Sequence, residues 1–281
     1  MTMNRKSSTF ETLSIDDIDY LIIDVETTGL SVEHGDRVCE IGAVKLRGSA
    51  VIETYGSLIN PQRPISYGAF AVNGITPEML IDAPVFSQIA DKIWNMMDNS
   101  VLVAYNAPFD LSFITNEFRL LGYPTIHNTT IDALALARKL LPGLQTYQQG
   151  NVAKVIGIQF PVKHRALEDA MTTAQIFMIF ASILKAHDCA LVKDFWRNDI
   201  MYVLHKRRMD IITNALSNTK NLWIKYLSPT NAEITDRIIT PKECFIENVG
   251  MKKTTYLNAY CHSTKSERSF RIDRILDLRV I

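Results

Sequence analysis

The sequence has no pair of cysteines at the spacing of a zinc site. Its cysteines, Cys39, Cys189, Cys244 and Cys261, are scattered along 281 residues, and none belongs to a CxxC motif. This distribution argues against a zinc site and favours reduced thiols in a cytoplasmic protein. The sequence also lacks the apolar segment of a secretory signal and any run of eighteen apolar residues. We therefore expect neither export nor a membrane-spanning segment.

The chain has no net charge, but its charges are unevenly distributed. Residues 1–188 hold 14 Lys and Arg against 20 Asp and Glu, a balance of −6, whereas residues 189–281 hold 16 against 10, a balance of +6. This asymmetry indicates two units. The basic second unit either faces a polyanion or simply has a solvated basic surface.

Hydrophobic patterns predict an α/β domain over residues 19–188, preceded by an N-terminal tail over residues 1–18. Three strands follow one another between residues 20 and 60, and strands then alternate with helices up to a long helix that begins near residue 166. This order is typical of a mixed sheet covered by helices. Residues 189–217 are predicted to form a helical linker. Residues 218–281 contain short strand-like runs between turns, which predicts a small β barrel or sandwich.

The first candidate site lies in the stretch YLIIDVETTGL, where an apolar strand ends in two carboxylates. Asp24 and Glu26 are two residues apart, so their side chains project from the same face of the strand. Buried together they would repel, unless they reach water or share a cation. Oxygen ligands without Cys or His favour Mg²⁺ or Mn²⁺ over zinc. The alternative is an ordinary solvated acidic strand end.

Two later stretches place further polar groups at the ends of predicted elements. In VLVAYNAPFD, Asp110 lies where a helix begins and could simply cap that helix. In KHRALEDAMTTAQ, His164 lies in a loop, and Glu168 and Asp169 lie in the first turns of the long helix. A surface histidine is the alternative for His164, and spacing alone does not choose between the two acids.

Together, DVETTG, NAPFD and HRALEDA resemble the motifs of the DEDDh exonuclease family, the DnaQ-like group, over residues 19–185. The resemblance implies a ribonuclease H-like fold. It also implies that Asp24, Glu26, Asp110 and Asp169 hold two Mg²⁺ or Mn²⁺ ions about 3.5–4 Å apart. One ion would lower the pKa of a bound water, His164 would accept its proton as general base, and the other ion would stabilise the departing 3′ oxygen.

The resemblance also suggests how the substrate is held. The Thr-Thr-Gly segment that follows Asp24 and Glu26 offers backbone N–H groups and lets a substrate oxygen or the terminal sugar approach the backbone closely. Phe109 is a candidate for stacking on a terminal base, with a core role as the alternative. Asn73 stands where relatives commonly have His, which could alter how the terminal nucleotide is held. The candidate substrate loop consists of Thr27, Thr28, Gly29 and Leu30.

Residues 218–281 resemble a WYL domain, a small Sm/SH3-like β barrel, through LWIKYL, TTYLNAYC and RSFRIDRI. Thr255 stands where the tryptophan of the naming triplet is expected. Alternation along the last run predicts Arg268 and Phe270 on the same strand face, where an arginine and an aromatic could hold a phosphate and a base. The alternative is that these arginines pair with acids of the domain itself. The candidate ligand residues are Arg237, Tyr256, Arg268 and Arg274.

The sequence therefore predicts a cytoplasmic, Mg²⁺- or Mn²⁺-dependent 3′–5′ exonuclease that releases nucleoside 5′-monophosphates. Single-stranded DNA is the favoured substrate and RNA the nearest alternative. The WYL domain is expected to bind nucleic acid or another anionic ligand and to regulate the enzyme. A different class of protein, a nucleic-acid sensor with a vestigial nuclease, stays open, as does a homodimer. A polymerase partner ranks below these.

Overall fold

The computed structural model describes residues 10–160, 165–249 and 252–281. The described residues divide into two compact units that alternate along the chain. Of the described residues, those within 10–135, 158–178 and 191–193 form the first unit, and those within 136–157, 179–190 and 194–281 form the second. We describe each unit by itself.

The first unit is built on a five-stranded mixed sheet in the order β3-β2-β1-β4-β5. Strands β1, β2 and β3 pair in an antiparallel manner, whereas β4 and β5 run parallel to β1. Most residues of the central β1 are buried, as its apolar run predicts, whereas Asp19, Asp24 and Glu26 are half-buried. The strands are β1 (Asp19–Thr27), β2 (Val38–Arg47), β3 (Ala50–Leu58), β4 (Ser100–Ala104) and β5 (Thr130–Asp132).

All the helices except the first follow the strands in the order that the hydrophobic patterns predict. The helices are α1 (Tyr67–Asn73), α2 (Phe86–Met97), α3 (Ala107–Leu120), α4 (Ala133–Leu140), α5 (Gln149–Val155), α6 (Ala166–Lys185) and α7 (Ile200–Ser217). Within the described parts of the chain, only α6 is long and apolar enough to cross a membrane. A buried core helix meets the same criterion, and most of α6 is buried in the protein.

The two faces of β1 are covered by different helices. Leu21, Ile23 and Val25 pack in a core with the apolar side chains of α2 and α3. Tyr20 points to the opposite face, where its ring meets Phe177 of α6 with the centroids 4.7 Å apart. Because Asp24 and Glu26 share the face of Tyr20, the start of α6 lies over the carboxyl end of β1.

Residues 10–18 pack on the first unit. Ile15 and Ile18 are buried, and the Tyr20 hydroxyl donates to the Ile15 carbonyl at 3.0 Å. Ser14 forms a β-bridge with Leu191. The short segment 191–193 therefore belongs to the first unit although it follows the predicted boundary at residue 188.

The second unit contains a separate five-stranded sheet, all antiparallel, in the order β10-β6-β7-β8-β9. Helix α7 packs on it through Ile212 and Ala215. The strands are β6 (Leu222–Leu227), β7 (Ile234–Val249), β8 (Lys252–Cys261), β9 (Ser266–Arg271) and β10 (Ile275–Val280).

Two local features are not evident from the sequence pattern. The runs RIIT and CFIENV, which are separated by Pro241, belong to one strand, β7. The register shifts between Pro241 and Glu243, and such a bulge accommodates a residue without an N–H. The stretch 61–80 has no helical hydrophobic pattern, yet it contains α1 and a 3₁₀ turn at Pro77–Leu80. The α/β class with a mixed sheet and the all-β C-terminal region are confirmed.

Two glycines let the start of α6 approach the sheet. A Cβ on Gly42, which faces Asp24 across β1 and β2, would lie 2.1 Å from the Ala166 carbonyl oxygen. A Cβ on Gly56 of β3 would lie 3.0 Å from the Leu167 side chain. Helix α6 can therefore pack against backbone at this point, which brings its first turns close to β1.

We expect Gly42→Ala to lower the free energy of unfolding by about 3 kcal/mol, because the added methyl group would force α6 away from the sheet. Gly68→Ala is the matched control: it lies in α1 with nothing within 4 Å of the added Cβ. It should be neutral or stabilise by up to about 1 kcal/mol. Urea denaturation measures both changes, and equal stability of the two variants would contradict this packing.

Candidate active site

Three of the predicted acids meet at the carboxyl end of β1. Asp24 and Glu26 project from β1, and Asp169 projects from the first turns of α6. Each offers a carboxylate oxygen, and these oxygens all lie within 4.8 Å of one another. Asp169 is buried, and the other two are half-buried. Such a group can hold a metal ion.

The fourth predicted acid, Asp110, approaches from the first turn of α3. Its Oδ1 accepts a hydrogen bond at 3.0 Å from the backbone N–H of Val25, the residue between Asp24 and Glu26. Burial raises the pKa of Asp110 to about 8, with Glu26 and Asp132 adding repulsion. Burial and the charges of Asp110, Asp169 and Glu26 likewise raise the pKa of Asp24.

These shifts have one physical cause, since several carboxylates are crowded in a place with little water. A divalent cation would remove the repulsion, and an all-carboxylate donor set suits Mg²⁺ or Mn²⁺. The residues present therefore fit the metal ions that the DEDDh resemblance implies.

A fifth acid, Glu40, lies beside the cluster, and an arginine side chain neutralises its charge. Glu40 of β2 stands directly opposite Glu26 in the β1–β2 pairing, and opposed like charges destabilise a sheet. Arg165 donates from both Nε and Nη2 to Glu40, with Nη2 2.7 Å from Oε1. The Ala166 N–H also donates to Glu40 at 3.3 Å. Glu40 thus ties the start of α6 to β2, close to Asp169.

The remaining catalytic candidate, His164, lies outside the described residues. Glu168, its neighbour in the same motif, is exposed on α6. The structure therefore separates the two acids that spacing could not, because Asp169 is the one that points towards β1.

The predicted substrate loop is held by its own hydrogen bonds. The Thr27 hydroxyl donates to the Gly29 carbonyl at 2.7 Å, and the Thr28 hydroxyl donates to Asp36 at 3.2 Å. A Cβ on Gly29 would lie 2.3 Å from Asp36 Oδ2, so this glycine allows the carboxylate to approach the loop. Leu30 stands out from the loop with 84% of its surface exposed.

Phe109 and Asn73 both have structural contacts. The Phe109 ring packs at 5.1 Å from Phe113 on the edge of the core. Asn73, buried at the end of α1, donates from Nδ2 to the Thr27 carbonyl at 3.4 Å and accepts from the Ile75 N–H. Asn73 therefore joins α1 to the loop that follows Glu26.

The four ligand candidates of the second unit do not share one face. Tyr256 stacks on Phe245 with ring centroids 5.4 Å apart and lies opposite Arg271 in the sheet. Arg268 lies opposite Ala259, whose side chain is on the other face of β8. Arg237 donates to Thr235 at 3.1 Å. Arg274 is buried in the 3₁₀ turn Ile272–Arg274.

Sequence reasoning missed Glu40, Arg165 and Asp36. Glu40 did leave a signal, because it is a single acid in the apolar run VCEIGAV and so needs a partner when buried. Nothing along the chain identifies that partner, since Arg165 is 125 residues away.

Comparison with known families agrees with this geometry. The model of the family described as "Exonuclease" matches residues 21–177, more than half of the chain. The chain belongs to the exonuclease family. A WYL domain model matches residues 207–280, which include the second sheet and most of helix α7. The DnaQ-like and WYL resemblances are both confirmed.

Relatives of this exonuclease include two enzymes described as DNA polymerase III PolC-type. The one from Caldanaerobacter subterraneus subsp. tengcongensis is 36% identical over 233 residues, which is 80% of this chain and 16% of that relative. The one from Bacillus subtilis is 34% identical over 160 residues, or 57% of this chain and 11% of that relative. The chain thus spans about one sixth or less of the length of these relatives.

Solved structures support the ribonuclease H-like exonuclease fold. E. coli exonuclease I, in complex with a dT13 oligonucleotide, matches with a TM-score of 0.55 and 18% identity, over 79% of this chain and 52% of that one. The nuclease domain of 3′hExo, a DEDDh family member bound to rAMP, matches with a TM-score of 0.52 and 16% identity, over 66% of this chain and 97% of that one.

We expect Arg165→Met to lower the free energy of unfolding of the exonuclease by about 3 kcal/mol, because Glu40 would stay buried and unpaired opposite Glu26. A double variant that also carries Glu40→Gln should recover part of the lost stability, because the buried negative charge of Glu40 is removed. Arg47→Met is the matched control: Arg47 pairs with Asp19 in the same sheet but is largely exposed, so the cost should stay below about 1 kcal/mol. Similar urea midpoints for both arginine variants would contradict the role of the pair.

Proposed function

We propose that this chain is a metal-dependent 3′–5′ exonuclease that removes nucleoside 5′-monophosphates from single-stranded DNA. The proposal depends on one observation: carboxylate oxygens of Asp24, Glu26 and Asp169 lie within 4.8 Å of one another. The fourth acid, Asp110, accepts a hydrogen bond from the backbone N–H of Val25, which lies between Asp24 and Glu26. Three distant segments of the chain thus bring four carboxylates to the end of one strand. We assign these four as the metal ligands.

The chemistry is hydrolysis of the last phosphodiester bond. Water supplies hydroxide to the phosphorus and a proton to the departing 3′ oxygen of the shortened strand. When bound, two divalent ions supply Lewis-acid stabilisation of the reacting oxygens. The carboxylates hold and orient that centre, and Glu40 with Arg165 fixes the helix that carries Asp169. The role of His164 as general base rests on its motif.

Single-stranded substrate is supported by an exposed apolar surface beside the acids, which we call the α1 surface. It comprises Tyr67 and Phe70, which lie one turn apart on the same side of α1, and Leu30 is also exposed on the segment to which α1 is tied. Helix α1 carries no charged residue, and Tyr67 is 86% exposed. The Ser66 N–H donates to the Thr28 carbonyl at 2.9 Å, which ties α1 to the segment after Glu26. Unpaired bases stack on exposed aromatic side chains in this way.

The choice of DNA over RNA has partial support. The exonuclease I structure contains a DNA oligonucleotide, whereas the 3′hExo structure contains rAMP. We favour DNA because the DVETTG and NGIT segments resemble the DNA-proofreading branch. RNA trimming is the alternative, and a vestigial nuclease acting as a sensor is the rival of a different class. The matches to PolC-type polymerases keep a polymerase partner as a further proposal.

We assign the WYL domain to binding of nucleic acid or another anionic ligand and to regulation of the nuclease. Its excess of positive charge supports an anionic partner. All four cysteines are free thiols, which supports the proposed cytoplasmic location. A homodimer stays a proposal.

A degradation assay tests the nuclease. The purified protein is incubated with Mn²⁺ and with matched 5′-labelled DNA or RNA strands. We expect the DNA to be shortened from its 3′ end with release of mononucleotides, and chelation of the metal should stop the reaction. Asp169→Asn should lower the rate at least about a hundredfold, because a buried metal ligand is lost. Glu168→Gln, on the neighbouring exposed residue, should stay within about twofold. Equal loss in both variants, or release without metal, would refute the assignment.

Tyr67→Ala should raise KM for single-stranded DNA about tenfold with little change in kcat, since one stacked base is worth about 1–3 kcal/mol. Tyr67→Phe should keep the wild-type KM because the ring remains. Tyr202→Ala removes a similarly exposed tyrosine from α7 in the second unit and serves as control. If KM is unchanged in Tyr67→Ala, the α1 surface binds something other than bases, such as a protein.

A further inference from the structure

Helix α1, which carries the α1 surface, is attached at both ends to the two residues that follow Glu26. At its start, the Ser66 N–H donates to the Thr28 carbonyl at 2.9 Å. At its end, Nδ2 of Asn73 donates to the Thr27 carbonyl at 3.4 Å. Because α1 has only seven residues and is about 10 Å long, these two attachments leave it little freedom to tilt. The carbonyls of two consecutive residues thus receive the two ends of one helix.

The segment that receives α1 is itself fixed by further hydrogen bonds. The Thr28 N–H donates to the Arg37 carbonyl at 2.9 Å, and the Arg37 N–H donates to the Thr28 hydroxyl oxygen at 3.1 Å. Arg37 also donates from Nε and Nη2 to the buried carboxylate of Glu117 on α3, at 2.7 and 2.6 Å. Helix α1 is therefore attached to a part of the chain that is connected both to a proposed metal ligand and to α3.

Asn73 also contacts an irregularity in the neighbouring strand β2. The β1–β2 pairing shifts by one residue between Glu26 and Thr27, so Cys39 is an extra residue in β2 at this step. Such bulges redirect side chains and are common next to active sites. Nδ2 of Asn73 lies 3.9 Å from Sγ of Cys39, which packs with Ile75 in a small core. The same amide thus contacts the end of β1 and the bulge in β2.

The hydrogen-bonding groups of the Asn73 amide are used inside the protein. Its Nδ2 contacts the Thr27 carbonyl and Cys39, and its Oδ1 accepts from the Ile75 N–H at 3.0 Å. Only 7% of the surface of Asn73 is exposed. A buried polar group whose hydrogen bonds are made favours one arrangement of its neighbours. Asn73 is therefore built to hold α1 against the end of β1 rather than to bind a nucleotide itself.

We propose that Asn73 is a positioning residue of the nuclease. Together with the Ser66 N–H, it fixes the α1 surface relative to Glu26, so that a strand stacked on Tyr67 presents its last phosphodiester bond to the acids. A surface that is already in place binds more tightly than one that must be ordered when the strand arrives. This inference rests on the proposed function, because it assumes that the α1 surface stacks on bases.

Steady-state kinetics of the full chain with Mn²⁺ and 5′-labelled single-stranded DNA test this role. Asn73→Ala should raise KM about fivefold with kcat within about twofold, because α1 must then be ordered when the strand binds. Asn128→Ala is the matched control. Nδ2 of Asn128 also donates to two backbone carbonyls, at 2.7 and 2.9 Å, but beside Ser100, which pairs with the start of β1 and not with the end that carries Glu26. This control should lower the Tm without changing KM.

A double variant tests whether Asn73 acts through the α1 surface. In a chain that already carries Tyr67→Ala, Asn73→Ala should raise KM less than about twofold, because the stacked base is already lost. Ser66→Pro removes the other attachment, since φ is −65° at Ser66, which suits proline, and the N–H donor disappears. It should raise KM as Asn73→Ala does. Ser66→Ala loses only the side-chain cap to the Ala69 N–H and should keep the wild-type KM.

Fluorescence anisotropy of a labelled single strand in EDTA measures Kd for the same variants without catalysis, and we expect the same pattern of fold-changes. The positioning role is overturned by an unchanged KM and Kd in Asn73→Ala, by an equal effect of Asn128→Ala, or by an effect of Asn73→Ala that persists undiminished beside Tyr67→Ala. A wild type that does not bind the strand also overturns it. A wild type that binds DNA but does not hydrolyse it with metal refutes the proposed nuclease instead, and the Kd values then decide the role of Asn73.

Discussion

Repulsion among carboxylates at the end of β1 is the constraint on which the first unit depends. Asp24, Glu26, Asp110 and Asp169 come from three segments and would separate if nothing held them. The Val25 N–H fixes Asp110 from one side of the sheet. On the other side, Gly42 allows α6 to approach so closely that Asp169 reaches the same place. The fold thus imposes a crowding of negative charge that a divalent cation would relieve.

Glu40 is a buried carboxylate outside the proposed metal site, and the fold compensates its charge with an ion pair. It stands opposite Glu26 yet pairs with Arg165, so its charge is neutralised by a side chain of the protein itself. Glu40 also connects β2 to α6 directly, because it accepts a hydrogen bond from the backbone N–H of Ala166 at the start of that helix. The ion pair therefore serves the geometry of the acid cluster as well as the stability of the sheet.

The second unit presents the opposite electrostatic situation. Arg208 and Arg274 are buried cations that form no ion pair within 4.0 Å with a carboxylate among the described residues, whereas Arg271 pairs with Asp273. The Nε of Arg208 donates instead to Nε2 of His187 at 3.2 Å.

The sequence by itself determined the order of the strands and of the helices other than α1 in the first unit, and the shared face of Asp24 and Glu26. Both follow from local geometry, because side-chain direction alternates along a strand and repeats along a helix. Only the tertiary structure decided that Glu40 pairs with Arg165, that β7 continues through Pro241, that Tyr256 and Arg268 lie on opposite sheet faces, and that Arg208 is buried. These outcomes depend on which backbone segments approach one another, and desolvation and charge pairing act only once those segments are in contact.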